Sequence, residues 1–429
     1  MSRAQSAVVE KNTSHKLEVM NYLNEIAGRY PNAVSLASGR PAGKFFQTSR
    51  WVQQMEHYVE YFAGRRGLQT EAALVLLAQY GATNGIINEL IARQLDCDEQ
   101  ISCTPNQLMV TAGCQEAIDL CVGQLCTDAR DVIIVQSPVY IGITGAANRH
   151  GVDLVALAGS EEQPLLSRLQ ETLRQLAAQG RRARAFYLVP NFDNPTGATL
   201  TQTVREALID CCAAQQILIL EDNPYGMFRY EGGAVPAMYT LDRSGCVLYL
   251  GTYSKTICPA LRVGFLLLPP ALFGSIAAAE ALMTQLSQAK SFVTVNTSQL
   301  TQAIVGGVLL SQQGSLASLL RPVIDFYRHN RDAMVATLAD HFTSQDGVQW
   351  NVPEGGFFLV VDLPFPFGQR EAEICAGEYH VLVMPLSFFA LDESQSRRVR
   401  LAFSNGDIAQ IEEGVRRFSR FVRDRLGRN

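Results

Sequence analysis

VLYLGTYSKTICPALRVGFLLL, residues 247–268, holds two apolar runs of strand length on either side of a polar turn. The runs 247–250 and 263–268 are continuously apolar rather than alternating, which is how strands read when both faces of a parallel sheet are covered. Between them stand Thr252, Ser254, Lys255 and Arg262. Upstream, the same kind of text recurs in DVIIVQ from Asp131, AFYLVP from Ala185 and ILILED from Ile217. Each of these runs follows an amphipathic helical pattern, at 115–125, 165–178 and 201–215. Strands alternating with helices predict βα units and a mainly parallel sheet flanked by helices, an α/β fold.

The character changes after a long helical pattern near 321–343. Strand text at GFFLVVDL from Gly356 and VRLAF from Val399 mixes with helical patterns at 369–379 and 407–425. This predicts a smaller α+β unit. Residues 1–30 carry a helical pattern through Leu17, Met20, Leu23 and Ile26, 33–47 read as a loop, and 51–63 and 71–79 read as helices. The expected division is a large domain at 75–321, a small domain from 1–45 with 322–429, and a helical connector at 46–74.

Composition agrees with two or three domains, because 429 residues exceed one ordinary core. With 47% hydrophobic and 18% charged residues the chain is globular in class, not disordered. Its net charge is -5 and its basic residues are scattered, which argues against nucleic acid as a partner. The apolar stretches are too short for a bilayer, and the N-terminus has no long apolar run. The ten cysteines include no C-x-x-C pair and read as reduced, buried thiols. None of the six histidines falls in a metal or triad pattern. The expectation is a cytoplasmic protein with no metal and no membrane partner.

Ligands of open parallel sheets bind beyond the carboxyl ends of the strands, so the polar residues that follow each strand are the ones to read. They are Asn194 in NFDNPTG, Asp222 and Tyr225 in DNPY, Thr252, Ser254 and Lys255 in TYSK, and Arg262 before the next strand. One small ligand accounts for them all. A lysine forms a Schiff base with an aldehyde cofactor. A carboxylate such as Asp222 keeps a pyridine nitrogen protonated, and Asn194 and Tyr225 reach a ring hydroxyl. The hydroxyls of Thr252 and Ser254, Arg262, and the helix N-terminus opening near Gly113 suit a phosphate. Tyr140 can stack on a ring.

These phrases, with QYGATNG from Gln79, VTAGCQEAIDL from Val110, EGGFF from Glu354 and RVRLAFSN from Arg398, resemble the class I/II, fold-type I pyridoxal-phosphate (PLP) aminotransferases of the aminoadipate/kynurenine type. The resemblance covers about residues 33–406 and keeps the family's order. It implies a large domain with a seven-stranded sheet, and an enzyme that moves an amino group between an L-amino acid and a 2-oxo acid. Lys255 would be the Schiff-base lysine and proton shuttle, Asp222 the partner of the pyridine nitrogen, and Tyr225 and Asn194 contacts of the ring oxygen. Gly113, Cys114, Gln115, Thr252, Ser254 and Arg262 would form the phosphate cup, with Tyr140 on the ring. Tyr80 would reach the neighbouring subunit's phosphate, which implies a homodimer. Arg400 would clamp the substrate carboxylate, a task suited to a guanidinium. Asn194 and Gly39 would also lie on the substrate, whereas Arg40, which the resemblance does not account for, reads either as a solvated loop charge or as a second-anion site on the substrate.

The sequence departs from the family pattern in four places. Cys114 replaces a serine or threonine, Arg40 an uncharged residue and Leu386 a glycine near the pocket, while 45–79 is long and placed to remodel the entrance. These departures keep a second outcome open on the same fold: decarboxylation, elimination or replacement, carbon–carbon bond formation or oxidation, in specialised metabolism. A ligand-sensing regulator would need a DNA-binding domain before residue 33, for which the text leaves no room.

Overall fold

A computed structural model of the chain describes residues 25, 26 and 28–427. The helical pattern read through Leu17, Met20 and Leu23 lies outside them. After a short strand, β1 (Val34–Ser35), seven strands build the central sheet. They are β2 (Leu108–Thr111), β3 (Asp131–Val135), β4 (Asp153–Ala156), β5 (Arg182–Leu188), β6 (Leu218–Asp222), β7 (Val247–Thr252) and β8 (Gly264–Leu267). Their order across the sheet is β2-β8-β7-β6-β5-β3-β4. The pairs from β7 through β4 are parallel, and β8 runs antiparallel to both β7 and β2. β2, β3, β6 and β8 are buried along their whole length, which is why their text is mostly apolar, with polar residues only at the strand ends.

Helices cover both faces. Three of them, Cys114–Leu125, Leu165–Ala178 and Gln202–Ala214, lie within a residue of their expected bounds. The third starts at Thr201, whose hydroxyl accepts from the Val204 N–H at 3.4 Å, as an N-cap residue does. The edge strand β4 and the strand β2 were not read from the sequence. β4 is short and half exposed, so it lacks the apolar run of its neighbours.

The smaller unit is an antiparallel sheet ordered β12-β13-β10-β9, built from β9 (Gln349–Trp350), β10 (Phe358–Asp362), β12 (Met384–Pro385) and β13 (Arg398–Ala402). The N-terminal segment joins it: β1 pairs in parallel with β11 (Val381–Leu382), and the Ala402 N–H donates to the Leu36 carbonyl at 2.6 Å. The helix Ala317–His341 runs between the two units.

None of residues 45–79 lines the main cavity, although Phe45, Phe46 and Gln47 line a small neighbouring cavity together with Lys255. The helix Trp51–Arg66 of this segment packs on the helix Gln299–Ser311. A Cβ at Gly307 would lie 1.8 Å from the Gln54 carbonyl oxygen, so glycine permits this close crossing. All ten cysteines are free thiols. No helix among the described residues is long and apolar enough to cross a membrane.

Candidate active site

β2, β3, β5, β6 and β7 all end at one edge of the sheet, and the antiparallel β8 begins there. That reversal explains why Arg262 precedes its strand while the other polar residues follow theirs. A cavity of about 490 Å³ lies at this edge, under β10 and β13 of the smaller unit.

One corner of the cavity is built for an anion. The Thr252 hydroxyl donates to Ser254 Oγ at 3.0 Å and accepts from the Ser254 N–H at 3.1 Å. Arg262 reaches Ser254 Oγ at 3.2 Å and the Ala112 carbonyl at 3.2 Å. Gly113 caps the helix Cys114–Leu125 with φ +82°, and a Cβ there would lie 2.1 Å from an Arg262 nitrogen. Glycine therefore lets the guanidinium lie across the helix N-terminus, where backbone N–H groups and the dipole already favour negative charge. The turn is held from behind by a buried pair that sequence reading missed. Glu116 accepts from the Ala112 N–H at 2.6 Å and from Lys290 Nζ at 2.9 Å.

Asp222 ends β6 at the cavity floor and is 3% exposed. Burial pushes its carboxyl up to about 6, against hydrogen bonds from Tyr187 and Cys114 and the charge of Lys255. Tyr187 was not among the expected site residues. Its hydroxyl donates to Asp222 Oδ2 at 2.6 Å from the neighbouring strand β5. The Cys114 thiol points to Asp222 Oδ1 at 3.2 Å, so toward the anion corner this residue offers its backbone N–H. Tyr140 lines the cavity, and its hydroxyl donates to Gln115 Oε1 at 3.4 Å. Gln115 is fixed in turn by the Gly142 carbonyl at 2.8 Å.

Lys255 follows β7 and points at the N-terminal segment, where its Nζ donates to the Gly39 carbonyl at 3.3 Å. Burial pulls its ammonium down to about 8, helped by the charges of Arg400 and Arg262 and opposed by Asp222. Gly39 packs against Phe358; a Cβ would lie 2.2 Å from that ring. Arg40 lines the same cavity, and its carbonyl accepts from the Ser404 hydroxyl at 2.8 Å.

Arg400 is 3% exposed and crosses from β13 into the cavity. It donates to Asn194 Oδ1 at 2.7 Å and to the Ala37 carbonyl at 2.6 Å, and its Nε is buried with no hydrogen-bond partner. Its guanidinium lies 4.3 Å from the Phe358 ring centre and 4.6 Å from that of Phe389, within cation–π range. Burial pulls Arg400 down to about 10, still fully charged near neutrality. Asn194 is held in place by a tight turn. The Asp193 carboxylate accepts from the Thr196 N–H and hydroxyl, and Gly197 (φ +73°) allows the turn to lie against the Phe358 carbonyl. The fully buried Arg205 bonds the carbonyls of Pro190, Leu200 and Pro236 and so anchors the loop.

Tyr225 lines the cavity edge-on to Phe357 and Phe358. Two expected positions stand apart. Tyr80 is 85% exposed and lies outside the cavity. Leu386 is fully buried and packs with Leu382, Met384 and Phe389, one layer behind the lining.

Pyridoxal phosphate fits these residues. The anion corner, the carboxylate on the floor and the lysine share one cavity of adequate volume, and the buried, unpartnered Arg400 Nε awaits an acceptor. The profile of the family "Aminotransferase class I and II" matches residues 32–418. (S)-3,5-dihydroxyphenylglycine transaminase from Amycolatopsis orientalis is 35% identical over 414 residues, covering 96% of this chain and 93% of that one. 2-Aminoadipate transaminase from Thermus thermophilus is 28% identical over 401 residues, covering 92% and 91%. The solved kynurenine aminotransferase of Pyrococcus horikoshii, in complex with PMP, superposes with a TM-score of 0.83 at 26% identity, covering 99% and 97%. The chain belongs to the class I and II aminotransferases, and it is a pyridoxal-phosphate-dependent transferase similar to the aminoadipate/kynurenine type.

Proposed function

We propose that this aminotransferase acts on L-amino acids with flat, largely apolar side chains, and that Lys255 bonds to the cofactor's aldehyde and carries the proton at the substrate's Cα. The observation that carries the amino-acid and proton-transfer part of this reading is the buried Arg400, with its free Nε, in one cavity with Lys255. The cofactor supplies an aldehyde and an electron-withdrawing ring. Asp222 holds the proton on the ring nitrogen, Asn194 and Tyr225 contact the ring oxygen, and Tyr140 covers its face. Thr252, Ser254, Arg262 and the backbone N–H groups of Cys114 and Gln115 hold the phosphate. Arg400 binds the substrate carboxylate with Asn194 and Gly39 nearby. Ile26, Ile141, Leu382 and Phe389 offer an apolar wall for the side chain, and Arg40 lines the same cavity. Relatives named for dihydroxyphenylglycine and for aromatic amino acids support that preference.

The test is a panel of L-amino acids given to the PLP-loaded enzyme. Without an acceptor, the preferred donor is expected to yield one equivalent of 2-oxo acid per site and stop; adding a 2-oxo acid restarts it. Sustained turnover without an acceptor would replace transamination by elimination, decarboxylation or oxidation on the same residues.

The reading includes a homodimer with shared sites, a cofactor-holding unit at 75–321 with the smaller unit at 322–429 and the N-terminal segment, and a cytoplasmic location in keeping with the free thiols. An exposed apolar surface supports the dimer. Leu74, Val75 and Leu76 lie near Tyr80, and Phe292, Val293 and Val295 are joined to that region by the Gly81 N–H donating to Asn296 at 3.4 Å. Tyr80→Ala is expected to be impaired and Lys255→Ala inactive, whereas a refolded mixture of the two regains part of the wild-type activity in hybrids. A mixture no better than its components would show that Tyr80 serves its own chain or no site.

A further inference from the structure

Asp222 has a donor on each oxygen before any cofactor is considered. The Tyr187 hydroxyl lies 2.6 Å from Oδ2 and the Cys114 thiol 3.2 Å from Oδ1, and they approach from different elements, β5 and the helix Cys114–Leu125. Tyr187 is fully buried. Burial and the neighbouring Asp222 push the Cys114 thiol well above its ordinary range, so it stays protonated and remains a donor. The other titratable groups that act on Asp222, or are acted on by it, are Lys255, Tyr140, Tyr225 and Asp193.

A carboxylate this dry is driven toward its neutral acid, and a neutral acid gives no ion pair to a protonated ring nitrogen. We propose that Tyr187 and Cys114 are positioning residues that keep Asp222 ionised, and through it the proton on the cofactor's ring nitrogen. The inference rests on the reading of Asp222 as the ring-nitrogen partner. It also gives a reason for the thiol at position 114. A serine hydroxyl, on a C–O bond shorter than C–S, would fall short of Oδ1 from the same Cβ.

The sign follows from the chemistry. Both donors favour the charged form, so removing either raises the pH at which Asp222 titrates, from about 6 in the intact site. The test is the dissociation constant of PLP, measured by equilibrium dialysis of the holoenzyme between pH 5 and 9, for the wild type, Tyr187→Phe, Cys114→Ala and Asp222→Asn. The PLP phosphate is common to the first three, and Lys255 differs among them only through the charge of Asp222, so differences among those profiles report on Asp222. In Tyr187→Phe the acid-side loss of affinity is expected to move up by about one pH unit, the size of one hydrogen bond to a charged acceptor. In Cys114→Ala it moves the same way by less, because a thiol is the weaker donor. Both variants converge on the wild type at the alkaline end, where Asp222 is ionised in all three.

That convergence separates the proposal from simple damage to the pocket, which would weaken binding at every pH. Profiles that overlay the wild type, or that lie below it by a constant factor, overturn the proposal. If Asp222→Asn keeps the wild-type acid limb, the assignment of Asp222 itself fails, a distinct result.

Discussion

Lys255→Ala is expected to lower kcat by ~10⁴-fold or more while leaving the protein folded. Two functions are lost together. A positioned general base contributes roughly 10²–10⁴-fold, and the amine that bonds to the cofactor's aldehyde is removed as well. The site prepares this amine. Burial and the charges of Arg400 and Arg262 pull the ammonium down to about 8, so a substantial fraction is neutral and nucleophilic near physiological pH. Asp222 opposes the shift and keeps it from going further. The fold should survive, because the hydrogen bond that Lys255 makes is the long one to the Gly39 carbonyl at 3.3 Å. Single-turnover kinetics with the preferred donor measure the loss. A small primary amine added to Lys255→Ala should restore part of the rate with the pH dependence of the added base. Wild-type turnover in Lys255→Ala, or borohydride fixing the cofactor to a different lysine, would end the assignment.

The catalytic cluster was legible because the fold forces it to be. Parallel strands buried on both faces are conspicuous in text, and their carboxyl ends share one edge, so Asn194, Asp222 and Lys255 could be gathered from three distant phrases. What stayed hidden depends on pairing across the fold. Tyr187 is a β residue in apolar text, and nothing local reveals that β5 lies beside β6 with its hydroxyl on Asp222. Lys290 and Glu116 are 174 positions apart, yet their buried pair braces the phosphate turn. Arg205 looks like a helix-surface charge but is fully buried on loop carbonyls. Cys114 stands by family position in the phosphate cup, and nothing in the text reveals that its thiol is turned toward Asp222. Motif order identifies the residue; only the register of neighbouring elements identifies its partner.

Arg400→Leu is expected to lower kcat/KM for amino acid and 2-oxo acid alike by about 10²–10⁴-fold, the cost of removing one partner of a desolvated, hydrogen-bonded charge pair. The guanidinium is arranged for a carboxylate. Of its five N–H donors, two are engaged, on Asn194 and Ala37, which fix the plane. The faces of Phe358 and Phe389 keep water away from it. Nε, buried without a partner, then costs free energy until an anion arrives. Arg400→Lys keeps a charge but not the planar fork, so it should recover only part of the loss. Leucine also removes the donors to Asn194 Oδ1 and the Ala37 carbonyl, and the drop alone would not separate lost recognition from a disturbed pocket. The separating measurement uses amines that carry the preferred side chain but no α-carboxylate. The wild type is expected to handle them poorly, and Arg400→Leu should handle them no worse, because the interaction removed is one these amines never make. A variant that loses the carboxylate-free amine by the same factor as the amino acid would make Arg400 a structural residue and would leave the substrate carboxylate without an assigned partner.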